Sequence, residues 1–134
     1  AQGWHIDILF ALGENLSPLA QTNRERLNGL PHIELISAQE LEGRLKKGYD
    51  IIIEGIFGTG FSGALPAEIA VLCRQLNHSD LDIPTGLNCD TAEADPDTFR
   101  ADLTYTFAAY KPAHLSESGQ TYCQETVCLP IGID

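Results

Sequence analysis

The chain has 134 residues, 43% of them apolar, and a formal net charge of −11. That length suits one domain with a sizeable core, and the acidic balance argues against nucleic acid and against anionic membranes as partners. No apolar run is long enough to span a bilayer, and no basic stretch followed by an apolar one opens the sequence as a secretory signal would.

In chain order, "HIDILFAL" (5–12) is short, apolar and β-rich, and reads as a strand. "LSPLAQTNRERLNG" follows, with Ser17 as N-cap, Pro18 in the first turn and Gly29 as the stop, which predicts a helix. "HIELIS" (32–37) is a second strand, and Ser37 with Glu40 forms a capping box for a helix ending at Gly48. "YDIIIEGIF" (49–57) is continuously apolar up to its acid, the pattern of a strand covered on both faces of a parallel sheet. A glycine-rich turn then leads into a helix that begins near Pro66 and runs to about Leu76. The β-α-β-α-β-α alternation implies right-handed crossovers in an open α/β sheet. Beyond it, "LDI" (81–83) is a very short strand. "ADLTYTFAA" (101–109) alternates Leu103, Tyr105 and Phe107, the expected core face, against Thr104 and Thr106. "TYCQETVCLPIGI" (121–133) is one more strand, broken at Pro130.

The four cysteines, Cys73, Cys89, Cys123 and Cys128, form no C-x-x-C pair, and the four histidines are scattered. This argues against zinc and for free thiols in a reducing cytosol. In open α/β sheets ligands bind beyond the carboxyl ends of the strands, and two loops stand there. Gly58-Thr59-Gly60-Phe61-Ser62-Gly63 would let backbone approach an anion at a helix N-terminus. It is neither G-x-G-x-x-G nor a Walker loop, and a plain strand-to-helix turn is the commoner source of such a run. In "LDIPTGLNCDTAEAD" (81–95), Asp82 ends a strand against a rigid turn made by Pro84 and Gly86. It stands there as an acid–base group or as the head of an Asx-turn. Glu54 and the Thr85 hydroxyl together offer oxygen ligands to a hard cation, against the plainer alternative of a solvated or ion-paired carboxylate. Lys111 offers an ammonium to a phosphate, or is a solvated loop lysine.

"EGIFGTGFSGALP", "LDIPTGLNCDT" and "RADLTYTFAAYKPAHL", in that order, resemble the NAD(P)H-hydrate epimerase family, the YjeF N-terminal domain. The resemblance covers essentially the whole chain and is strongest over 49–133. It implies a Rossmann-like three-layer α/β/α sandwich with a mostly parallel central sheet, in a cytoplasmic homodimer. It implies an isomerase of cofactor repair that interconverts the R and S forms of hydrated NADH or NADPH, which carry water at C6 of the nicotinamide ring. A dehydratase, in some relatives fused to the same polypeptide, is the implied functional partner. The same fold also serves relatives as a non-catalytic binding module for a nucleotide ligand or a protein, which is the competing expectation. A third is a nucleotide-binding domain acting on another adenylate.

Residue by residue, the resemblance makes Glu54 a potassium ligand where Asp is usual, and Thr85 a second one. It assigns the substrate's phosphates to Gly58, Thr59, Gly60, Phe61, Ser62, Gly63 and Ala64. Asp82 becomes the catalytic base and a contact to the nicotinamide end. Potassium, a poor Lewis acid, takes an organising role. Gly63 stands where the family commonly has Arg. The family's N-terminal helices, its first strand and that strand's Asn-Asn-Gly-Gly-Asp-Gly loop have no counterpart here, and the stretch before residue 81 is shorter than a full strand requires. One domain over 1–134, lacking those portions, is the expectation.

Overall fold

The computed structural model describes residues 3–13, 15–58, 60–77 and 84–130, in two compact units, Ala1–Lys47 and Gly48–Asp134. Each unit is built on a pair of parallel strands. The expected strands at 81–83 and beyond Pro130 lie outside the described residues, as do Thr59 and Asp82.

In the first unit, β1 (Ile6–Ile8) pairs in parallel with β2 (Ile33–Leu35), Ile6 opposite Ile33 and Asp7 opposite Glu34. Between them, α1 (Pro18–Glu25) starts where the sequence predicts, with Ser17 Oγ accepting from Ala20 N at 3.3 Å. After β2 comes α2 (Ala38–Leu45), whose Glu40 Oε2 accepts from Ser37 N at 2.8 Å and from Ser37 Oγ at 2.7 Å. Those hydrogen bonds hold the Glu40 carboxyl below the usual range. Two carboxylates opposite one another on neighbouring strands repel. Arg44 answers this from α2, with its guanidinium 3.5 Å from Asp7 and 2.8 Å from Glu34, while His5 Nε2 lies 3.2 Å from Asp7.

In the second unit, α3 (Ala67–Leu76) buries Ile69, Ala70, Leu72, Cys73 and Leu76 along one face. β3 (Leu103–Phe107) and β4 (Glu125–Leu129) pair in parallel from Leu103 opposite Glu125 to Phe107 opposite Leu129. Two short helices connect them, α4 (Pro112–Leu115) and α5 (Glu117–Cys123). Sequence reading missed both, although Pro112 in a first turn and Ser116 as N-cap of α5 are ordinary start signals. Residues 121–123, expected as strand, are the last of α5. No described helix is long and apolar enough to cross a membrane.

Two further expectations need correction. Residues 49–57 form no ladder: Ile51 and Ile53 are exposed, and only Glu54 of that stretch is buried. A strand exists through its neighbour's hydrogen bonds, and no described segment supplies them. On β3 the buried face is the threonine face, with Thr104 and Thr106 inside and Tyr105 and Phe107 exposed. Burial of these hydroxyls is tolerated because each has an acceptor, Thr104 Oγ1 reaching Cys123 O and Thr106 Oγ1 reaching Ala109 O, both at 3.0 Å.

The start of α4 is sensitive to pH. Lys111 N donates to His114 Nδ1 at 3.0 Å, so that nitrogen must be unprotonated. Burial, and then the Lys111 charge, hold the imidazole below its ordinary value of 6.5. On acidification the unfolded chain takes the proton first. The contribution is therefore complete above the ordinary value and is lost as pH falls through the lower folded-state value. Between about pH 7 and about pH 5, the unfolding midpoint is expected to fall more steeply in the parent than in His114→Asn. The amide oxygen of that variant accepts the same hydrogen bond without titrating. Equal slopes would remove His114 from the account.

Candidate functional site

The site is built where the segment after Tyr49 meets the turn that begins at Pro84. Glu54 is only 4% exposed and Thr85 1%, which is unusual for a carboxylate unless it is paired. Its partners are specific. Glu54 Oε1 accepts from Thr85 Oγ1 and from Ile56 N, each at 2.5 Å, and Oε2 accepts from Thr85 N at 3.2 Å. Thr85 Oγ1 in turn accepts from Phe57 N at 3.2 Å. One acid and one hydroxyl, far apart in sequence, thus lock two turns together.

Each side of this lock is braced. After Thr85, the chain folds back on itself: Asp95 N donates to Gly86 O at 3.0 Å and Phe99 N to Thr85 O at 2.9 Å, with a bridge between Leu87 and Ala94. Gly86 has φ +99°, and a Cβ there would meet Thr98 Oγ1 at 2.7 Å and Thr98 Cα at 3.0 Å. Only glycine fits a turn so placed. From α3, Asn77 Nδ2 donates to Thr98 O at 3.1 Å and its Oδ1 accepts from Arg100 N at 2.8 Å, while Arg74 pairs with Asp97. Asp95, for which the sequence offers no role, accepts from Leu65 N at 3.0 Å and so ties the far end of the glycine turn to the same fold-back. Its value was not legible, because a carboxylate that caps a distant amide has no local spacing.

The glycine turn itself is exposed at Gly58, Gly60, Ser62, Gly63 and Ala64, with Phe61 half-buried beside Phe57, ring centres 5.4 Å apart. Phe61 N closes a tight turn onto Gly58 O at 3.1 Å. Gly63 has φ +84°, so an arginine there would be strained, a local reason for glycine at this position. A cleft of about 270 Å³ opens beside Gly63 and Ala64, but Glu93 and Asp95 line its other side. Two carboxylates repel a phosphate from that side of the cleft, so an anion on the turn has to sit against its backbone amides, away from Glu93 and Asp95. Lys111 Nζ donates to Ala109 O at 3.2 Å rather than into this region. Cys73, behind the site on α3, is pushed up to about 12 by burial and then by the Glu54 charge. It stays a thiol and is no nucleophile.

As a cation site the pair is poorly disposed. Potassium is held by several oxygens at once. Here three protein hydrogens face the Glu54 carboxylate, which has about four lone-pair positions in all. Among the described residues the arrangement suits a hydrogen-bonded carboxylate better than a cation ligand.

Parallel strand pairs alternating with helices place the fold in the Rossmann-like α/β class. Residues 1–113 match the family described as YjeF-related protein N-terminus, and the chain belongs to that family. It is 36% identical over 106 residues to an NAD(P)H-hydrate epimerase of Rhodopirellula baltica, covering 75% of this chain and 43% of that protein. It is 33% identical over 135 residues to a bifunctional NAD(P)H-hydrate repair enzyme of Pyrobaculum aerophilum, covering 93% of this chain and 27% of that protein. An NAD(P)H-hydrate epimerase of Weissella koreensis is 27% identical over 123 residues, which is 88% of this chain and 54% of the relative. The chain thus spans between about a quarter and about a half of the length of these relatives.

Proposed function

We propose that the chain is an NAD(P)H-hydrate epimerase domain, an isomerase acting on the R and S forms of hydrated NADH and NADPH. The observation that carries this reading is the Glu54–Thr85 lock. It joins "EGIFGTGFSG" to "IPTG", the two stretches through which the resemblance implies substrate binding, and relatives named as epimerases align with the chain. A degenerate site would have no reason to keep a buried acid satisfied by both turns.

Hydration at C6 makes a hemiaminal, so inversion requires a C–O or C–N bond to break and re-form. Asp82, three residues before Thr85, has the chemistry for the proton work. As the acid it protonates the departing hydroxyl, which leaves as water and gives an iminium. As the base it then takes a proton from the water that adds to the other face. In the ring-opening variant it takes the hydroxyl proton and passes it to the ring nitrogen as C–N breaks to an aldehyde and an amine, and the reverse transfer closes the ring on the other face. No step passes through a cation. The amides of the glycine turn, Gly58 to Ala64, hold the pyrophosphate, which the net charge of −11 would otherwise repel.

The proposal includes a homodimer in the cytoplasm, working beside a dehydratase that consumes the S form. The exposed Tyr105 and Phe107 on β3 are apolar surface that such an assembly would cover. Bifunctional relatives support the dehydratase pairing.

The test follows R and S hydrated NADH by chromatography while a separate dehydratase removes S. With the protein present, R is expected to drain; R that persists at its spontaneous rate would overturn the proposal.

A further inference from the structure

We propose that in this chain the Glu54 side chain itself does the organising work of a bound cation, so that the join between its two turns needs no potassium. The inference rests on the functional reading above for what the join serves, but not for the join's existence. Glu54 reaches across the gap: Oε1 lies 2.5 Å from Thr85 Oγ1 and Oε2 lies 3.2 Å from Thr85 N, while Ile56 N holds the carboxylate from its own segment at 2.5 Å. An acid shorter by one methylene falls short by roughly 1.5 Å, one C–C bond. That takes both Thr85 contacts past hydrogen-bond distance. A shorter acid would leave two oxygen groups facing one another across a space, which is what a bridging cation fills. The longer acid closes the space with hydrogens. Those three hydrogens take up three of the carboxylate's roughly four lone-pair positions, and Thr85 Oγ1 is engaged as acceptor by Phe57 N at 3.2 Å. Placing an ion there means breaking the bonds between Glu54 and Thr85, which are 4% and 1% exposed. Glu54 is thus a positioning residue: it sets the distance between its own segment, which leads into the glycine turn, and the turn that begins at Pro84.

The experiment compares the parent with Glu54→Asp in potassium chloride and in choline chloride at equal ionic strength. Thermal midpoint and amide exchange at Phe57 and Thr85 are read without substrate, and turnover of hydrated NADH is read separately. The parent midpoint is expected to agree between the salts to within about 1 °C. Its Thr85 amide should be equally protected in both. In choline, Glu54→Asp is expected to exchange Thr85 roughly tenfold faster, with potassium restoring protection specifically. A parent midpoint that climbs with potassium and not with choline overturns the proposal, as does an aspartate variant no more sensitive to potassium than the parent. If the variant does not fold in choline, the parent comparison alone decides. Absence of turnover in both salts would count against the epimerase reading and leave the salt comparison to stand or fall by itself.

Discussion

Asp82→Ala is expected to lower the rate of R-to-S conversion by about a thousandfold, near the middle of the range for a general acid–base residue, or ~4 kcal/mol of barrier. Binding of the hydrated cofactor should remain detectable, because its pyrophosphate is assigned to the glycine turn and not to Asp82. The expected signature is a fall in kcat with KM nearly constant, the mark of an interaction made only in the transition state. The lock's hydrogen bonds run between Glu54, Ile56, Phe57 and Thr85, and a group kept for proton transfer is not expected to hold the fold together. The variant should therefore keep the parent's unfolding midpoint. Conversion at the parental rate would remove Asp82 from the chemistry, and a collapsed midpoint would make it a structural residue instead.

Gly119→Ala is expected to cost about 3 kcal/mol, near the upper end for overpacking, and so ~10 °C of midpoint for a domain of this size. A Cβ at Gly119 would lie 2.0 Å from Ala113 O, 2.7 Å from Ala113 C and 2.9 Å from Ser116 Oγ. Two of those are backbone atoms and cannot swing aside. Ser116 Oγ both accepts from Gly119 N and donates to Ala113 O, each at 3.0 Å. Ala113 is fully buried against Leu87 and Cys123. The α4–α5 corner therefore has no direction in which to relax. Gly43, inside α2, makes the control: nothing lies within 4 Å of its would-be Cβ. Alanine there should stabilise by roughly 0.5–1 kcal/mol through helix propensity. Chemical unfolding of both variants gives the comparison, and a Gly119→Ala midpoint equal to the parent's would contradict the account.

What the sequence disclosed and what it withheld divide along the range of the interactions. Ser17, Ser37 with Glu40, and the glycines that end helices act over a few residues, so the helices they bound could be read directly. The β3 and β4 stretches were legible as strands because their composition is β-rich, but the buried face was not. Alternating Leu103, Tyr105 and Phe107 looked like core, and only the acceptors waiting at Cys123 and Ala109 explain why the threonines face inward. The apolar run at 49–57 invited a strand for the same reason and lacks a described partner. At the site, residue types pointed to Glu54, Thr85 and the glycine turn, and the structure brings the first two into contact. Their chemistry was less visible. Whether an acid meets a hydroxyl or an ion depends on one methylene and on the path of a distant turn. Asp95, bonded to Leu65 N from 30 positions away, left no trace in spacing at all.

The lock also has a consequence for the order in which the chain assembles. Its hydrogen bonds join residues 31 positions apart, Glu54 and Thr85, whereas those within the α4–α5 corner, from Gly119 N to Ser116 Oγ and from Ser116 Oγ to Ala113 O, each span three. Loop-closure entropy must be met before distant contacts stabilise anything. The corner is thus expected to form early, and the join that shapes the site only after α3 has docked. Folding to completion and acquiring a site become nearly the same event, so a partly folded chain would offer the cofactor nothing to bind.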